Sequence, residues 1–115
     1  MHELGLLRGV VGVAERAAAQ AGAARVEAVG LRVGTRSGAL PEALAGAWPI
    51  ATSGTAAEGA RLDLEVVVAA VWCPACAAER EIDEFYVLTC PVCGTPTGAL
   101  ARGREFDVAY VDLPD

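Results

Sequence analysis

Apolar residues recur every three or four positions near the start of the chain. Leu4, Leu7, Val11, Ala14 and Ala18 form one stripe, with Arg8, Glu15 and Arg16 off it. This spacing predicts an amphipathic helix over 4–21, with Gly22 as its stop. The pattern then changes: "RVEAVGLRVG" is rich in β-branched residues and predicts a strand over 25–33. Its alternation breaks around Val29–Gly30, which leaves room for a bulge. "SGALPEALAGAWPIATSG" predicts a turn and a second helix with Pro41 in the first turn. Pro49 falls inside that helix, where it removes a hydrogen bond and clashes with the preceding turn at about 3 kcal/mol. The expectation is a helix kinked near Trp48, or one shorter than 41–53.

Leu62, Leu64, Val66 and Val68 alternate with Asp63, Glu65 and Val67, predicting a strand with one strongly apolar face. After Trp72 the texture changes. "CPACAAEREIDEFYVLTCPVCGTPTG" holds all four cysteines, three prolines and a cluster of acids. Period-two patterning returns in "REFDVAYVDL", where Phe106, Val108 and Tyr110 alternate with Asp107, Ala109 and Val111. The cysteine segment therefore reads as an insert between two strands of one sheet. No linker is long enough to separate independent domains.

A chain of 115 residues, 54% hydrophobic, fits one domain with a small insert and can bury a real core. Its longest apolar run, Val66–Trp72, is strand-sized, well short of the roughly 18–20 residues of a membrane span. Glu3 near the start, with no basic n-region, is unlike a secretory signal, so a cytoplasmic protein without a membrane partner is expected. The net charge is −6 and all nine basic residues are arginines. An acidic surface repels phosphate backbones, and Arg102 and Arg104, followed by Glu105 and Asp107, make no basic patch. A nucleic-acid partner is therefore not expected.

Cys73 and Cys76 form one C-x-x-C pair, and Cys90 and Cys93 form a second, separated by residues 77–89. Each pair can wrap a tight turn around one metal, and four thiolates give a closed tetrahedral site of the structural kind, which suits zinc. An insert of this size has too little core to fold alone, so the metal is expected to supply much of its stability. The competing readings are a redox dithiol, two local disulfides, or iron. "CPVCGTP" is similar to one knuckle of a rubredoxin, but the rest of the segment lacks a rubredoxin's aromatic core. With all four positions filled by protein, catalytic zinc is not expected.

His2, the single histidine, stands beside the amino terminus. A free α-amine, the following backbone amides and an imidazole on residue 2 form fused chelate rings around one metal. With the amides of His2 and Glu3 deprotonated, up to four nitrogens lie near one plane, an arrangement that suits nickel(II) or copper(II). The bulk of His2 should protect Met1 from aminopeptidase removal. Exposed, modest-affinity binding is what a protein that hands metal onward requires.

"MHELGLL", "VGLRVG", "PEALAGAW", "GTAAEGARLDLE", "VWCPAC" and "CPVCG" occur in the order seen in the HypA/HybF family of nickel metallochaperones for [NiFe]-hydrogenase maturation, and the chain resembles that family over essentially its whole length. The resemblance implies an α+β fold: two helices packed on a small three-stranded mixed sheet, with an inserted zinc-ribbon-like four-cysteine module. Residues 1–71 with 103–115 would form the nickel-binding α/β domain and 72–102 the zinc-binding insert. It further implies transient nickel at Met1, His2 and Glu3, and structural zinc at Cys73, Cys76, Cys90 and Cys93. The implied partners are a HypB-type GTPase and the hydrogenase large-subunit precursor, with the chain a monomer or weak homodimer and not an enzyme. Some relatives also feed urease. Two departures stand out: "GTRSGAL" lacks the hydrophobic residues common at that place in relatives, and Pro49 replaces an aromatic or aliphatic helix residue. No histidine is available near the cysteines, so any further nickel ligand would be carboxylate, backbone or water. The competing function is a zinc-ribbon protein-interaction module without transient metal; a third is an oxidoreductase with a rubredoxin-like iron centre.

Overall fold

The computed structural model describes residues 2–82 and 88–115. Helix α1 spans His2–Gln20 and buries Leu7, Val11, Ala14 and Ala18 of the predicted stripe together with Val10, while Leu4 is only partly buried against the core. It ends in a Schellman motif, with the Ala23 amide bonded to Ala18 O (2.9 Å) and the Gly22 amide to Ala19 O (3.2 Å). Strand β1 (Ala28–Gly34) turns Val29, Leu31 and Val33 inward, each fully buried. The predicted strand of 25–33 therefore starts three residues early.

Helix α2 (Pro41–Thr52) runs through Pro49 and is one residue shorter than 41–53, the second of the two expected outcomes. Pro49 and Ala45, whose carbonyl loses its helical partner, both lie on the exposed side, where water can take that carbonyl. The opposite side buries Leu44, Ala47, Trp48 and Ala51. The Trp48 indole donates to Ala60 O at 2.8 Å and so ties the helix to the approach of β2 (Arg61–Val67).

The main sheet has the order β2-β1-β6, with β6 at Phe106–Asp112. β1 runs parallel to β2, from Ala28↔Arg61 to Gly34↔Val67, and antiparallel to β6. The helices cover one face, and the core lies between them and Val29, Leu31, Val33, Leu62, Leu64, Phe106 and Val108. The cysteine segment does fall between two strands of one sheet, but β2 and β6 are not neighbours: β1 separates them.

Two apolar faces differ from expectation. The β1–β6 register shifts between Gly30 and Leu31: Leu31 pairs with Val108 and Gly30 with Tyr110, so Ala109 is the extra residue of a bulge. Beyond it the phase flips. Val111 and Leu113 reach the core, while Tyr110, expected beside Phe106 and Val108, lies 43% exposed on the outer face. There its ring covers Gly30, where an added Cβ would come within 2.5 Å of Tyr110 Cζ. Its hydroxyl donates to Asp63, which also accepts from Arg61 at 2.7 Å, so the cluster spans all three strands. In β2, Leu62 and Leu64 pack on the core, but Val66 and, just past the strand, Val68 are exposed and Val67 is buried, because the chain there leaves the helix-covered region for the insert.

The insert carries its own antiparallel sheet, order β4-β3-β5, from Ala70–Cys73 (β3), Ala78–Glu81 (β4) and Leu100–Arg102 (β5). Its core is small: Ala69, Val71 and Ile82, with Leu88 and Leu100 packed on it. Arg102 crosses the small Ala70 to ion-pair with Glu79 and, at 3.1 Å, with Glu81. The two connections between the sheets are held by the loop after β1. The Gly34 amide bonds Glu105 O (2.7 Å), the Arg36 amide bonds Gly103 O (2.8 Å), and the Ala69 amide donates to the Thr35 hydroxyl (2.9 Å). Gly103 has a φ of +123° and sits against the Ala69 backbone. Among the described residues no helix is long and apolar enough to cross a membrane.

Candidate metal centres

The two C-x-x-C pairs fold into matching knuckles. Cys73 ends β3, the Cys76 amide donates to Cys73 Sγ at 3.3 Å, and Ala77 closes the turn with a φ of 53°. In the second knuckle the Gly94 amide bonds Cys90 O at 2.9 Å, and Gly94 has a φ of 77°. The residue after the second cysteine thus takes the left-handed conformation both times, once as glycine and once as alanine. The Thr97 and Cys90 amides bond Leu88 O and Thr95 O, each at 2.9 Å, so the second knuckle rides on a small hairpin.

These turns bring all four sulfurs within 4.8 Å of one another. The Cys73–Cys93 sulfurs are 3.5 Å apart and the Cys76–Cys90 sulfurs 4.0 Å. Zinc–sulfur bonds of about 2.3 Å in a tetrahedron require sulfurs about 3.8 Å apart. The observed pairs bracket that value and are far beyond the roughly 2.05 Å of a disulfide. The four cysteines are free thiols, and the cluster can hold a metal such as zinc. Cys73 and Cys90, the first of each pair, are buried; Cys76 is half-buried and Cys93 exposed.

The surroundings of the sulfurs are uneven. The Thr95 hydroxyl, 3.1 Å away, and then the Thr95 amide hold the Cys93 thiol down to about 6. Burial pushes Cys90 up, but the amides of Cys93 and Val92 outweigh it and leave it below the usual thiol range. For Cys76 the Arg80 guanidinium pulls downward, yet hydrogen bonds from the sulfurs of Cys93 and Cys73 dominate and push it up to about 11. Neither Arg80 nor Thr95 stands out in the sequence as a site residue. A signal for the first existed: in the strand "ERE" the outer charges face solvent, which turns Arg80 alone toward the sulfurs.

At the other end of the chain, Met1 lies outside the described residues. His2 opens α1 and is exposed. The amides of His2 and Glu3 belong to the first turn, whose donors have no partner within a helix. The Glu3 carboxyl is held below the usual carboxylate range by its own amide and by the Leu40 amide, which reaches it at 3.4 Å. α2 has no side-chain cap of its own at Leu40, so Glu3 does that task from the neighbouring helix. The sequence gives no hint of this contact across 37 residues. Among the described residues the only candidate metal cluster is the four cysteines, and neither His2 nor Glu3 joins it.

The model of a family described as hydrogenase/urease nickel incorporation, metallochaperone, HypA matches residues 1–113. This chain belongs to the HypA family. Hydrogenase maturation factor HypA of Roseiflexus sp. (strain RS-1) is 39% identical over 115 residues, covering all of this chain and 94% of the relative. The factor of the same name from Chloroflexus aurantiacus (strain ATCC 29366 / DSM 635 / J-10-fl) is 39% identical over 114 residues, 99% of this chain and 100% of the relative. The fold is shared with the solution structure of the nickel metallochaperone HypA from Helicobacter pylori, with a TM-score of 0.65 at 16% identity over 96% of each chain. Two helices, small sheets and a four-cysteine module are thus the architecture of a HypA protein, a family of nickel-incorporation metallochaperones.

Proposed function

We propose that this chain binds nickel(II) at its free amino terminus, through Met1, His2 and Glu3, and delivers it to the [NiFe]-hydrogenase large subunit. Cys73, Cys76, Cys90 and Cys93 would hold structural zinc. The observation that carries this reading is the contrast between two kinds of donor set. The four sulfurs close around one point with two of them buried, which suits a resident ion, whereas the single imidazole is exposed at the start of α1, which suits an ion in transit. The chain acts as a carrier and not as an enzyme, in the cytoplasm, as a monomer or weak homodimer. Its partners are a HypB-type GTPase and the large-subunit precursor. Residues 1–71 with 103–115 form the nickel-binding unit and 72–102 the zinc-binding one, with Ala70 and Val71 entering the zinc unit's sheet. The Glu3 carboxylate has a second task as the cap of α2, so its nickel contact competes with the Leu40 amide.

The test is a nickel titration of the untagged chain, with Met1 confirmed by mass spectrometry, and of a variant with two residues added before Met1. One tightly bound zinc in both, with nickel binding only in the first, is the expected result. Equal nickel binding by the two forms would place the site elsewhere. Nickel binding by neither would leave a zinc-ribbon interaction module as the better account.

A further inference from the structure

A divalent cation held by four thiolates leaves two negative charges uncompensated, and those charges lie partly out of water because Cys73 and Cys90 are buried. Burying uncompensated charge is costly, so a counter-charge is worth looking for. Among the described residues the insert holds two arginines in its sheet. Arg102 is committed to Glu79 and Glu81. Arg80 is different. On β4, Glu79 and Glu81 point outward, while Ala78 and Arg80 share the inner face, opposite Cys73 and Val71. From that inner face the Arg80 guanidinium interacts with the sulfur of Cys76 and, more weakly, with that of Cys90. Its Nε is shut off from solvent and has no hydrogen-bond partner. No carboxylate among the described residues pairs with it. Among the described residues its electrostatic partner is the sulfur cluster.

We propose that Arg80 is the counter-charge of the four-cysteine site, shielding Cys76 and Cys90 with N–H···S contacts and leaving Cys93 as the sulfur through which the site opens. The proposal rests on the reading that this cluster holds a metal. The asymmetry follows from the surroundings: Cys93 is exposed, and outside the sulfur cluster its neighbour is the neutral Thr95 hydroxyl at 3.1 Å, not a cation. A thiolate that accepts a charged hydrogen bond has its sulfur charge partly neutralised and is less nucleophilic toward an electrophile. Arg80 would therefore act as a positioning residue that gives the site one door.

The experiment is thiol mapping on zinc-loaded protein. Wild type, Arg80→Gln and Arg80→Lys are first checked for one zinc per chain, then treated with N-ethylmaleimide, and the modified cysteines are located by mass spectrometry over time. In wild type Cys93 should be modified first. In Arg80→Gln, Cys76 should join it, with its rate raised about tenfold, the scale of one lost charge-assisted hydrogen bond. Arg80→Lys keeps the charge without the planar fork and should fall between. If the wild-type chain holds no metal, the reading of the cluster fails and this proposal fails with it. With zinc bound, an unchanged order of modification in both variants overturns the proposal alone. Equal acceleration at all four cysteines also overturns it, since that is the mark of a generally loosened insert.

Discussion

The junction between the two sheets makes a sharp demand at Gly103, and alanine there should be costly. The backbone φ is +123°, a region that L residues rarely enter and that costs about 1–3 kcal/mol. An added Cβ would come within 2.5 Å of the Ala69 Cα and 2.6 Å of its Cβ. The first of these is backbone, which no rotamer change can clear. Forcing such an atom into a packed site costs about 1–3 kcal/mol more. Together Gly103→Ala should lose roughly 4 kcal/mol, against the roughly 5–15 kcal/mol that holds a typical domain. At about 4 °C per kcal/mol for a chain of this length, Tm should fall by about 10–20 °C. Thermal unfolding followed by circular dichroism measures this directly. Gly46→Ala is the matched control: Gly46 is exposed in the interior of α2 with open space at its Cβ position. It should gain about 1 kcal/mol from helix propensity alone. A Gly103→Ala protein melting within 3 °C of wild type would refute the argument from the junction.

Other expectations follow from single observations. Ala77→Gly, at a φ of 53°, relieves left-handed strain in the first knuckle and should stabilise the zinc-loaded insert by up to about 1 kcal/mol; slower zinc loss to a chelator would show it, and faster loss would contradict it. Stripping the metal should release backbone-amide protection in β3, β4 and β5 while leaving α1 and β1 protected, because the insert's own core is only Ala69, Val71 and Ile82 with two flanking leucines. Hydrogen exchange with and without chelator decides this, and uniform protection in both states would refute it. The Tyr110 phenol donates to Asp63, and this hydrogen bond, with burial adding to it, raises its pKa above the usual value. A raised folded-state pKa means that the contribution is whole below about pH 10 and is lost as pH rises from there through the folded pKa. Absorbance titration at alkaline pH should show a late-titrating tyrosine that disappears in Tyr110→Phe and moves back in Asp63→Asn. Superimposable curves would remove the Asp63 contact from consideration.

Where information was local, the sequence alone was sufficient. α1 is legible because one apolar stripe at a 3.6-residue period can satisfy only a helix against a core, and its buried set is the predicted one except that Val10 is buried and Leu4 only partly so. The four-sulfur cluster is legible because two C-x-x-C turns each need only four consecutive residues to form, and a single ion can then join them. The tertiary structure decided whatever depended on partners far along the chain. The alternation Phe106–Val108–Tyr110 suggested one face, but only the pairing with β1 reveals that Ala109 is an extra residue and that Tyr110 belongs with Asp63 outside. Val67 is buried in place of Val66 because β2 ends where the main core ends, a boundary no local pattern marks. Glu3 caps a helix that begins 38 residues later, and Arg80 meets Cys76 and Cys90 only because β4 folds back on β3. Periodicity records which face a residue belongs to within its own element. Register, capping and counter-charge are relations between elements, and they are settled only when backbone groups and buried charges from distant segments must find partners in the same small volume.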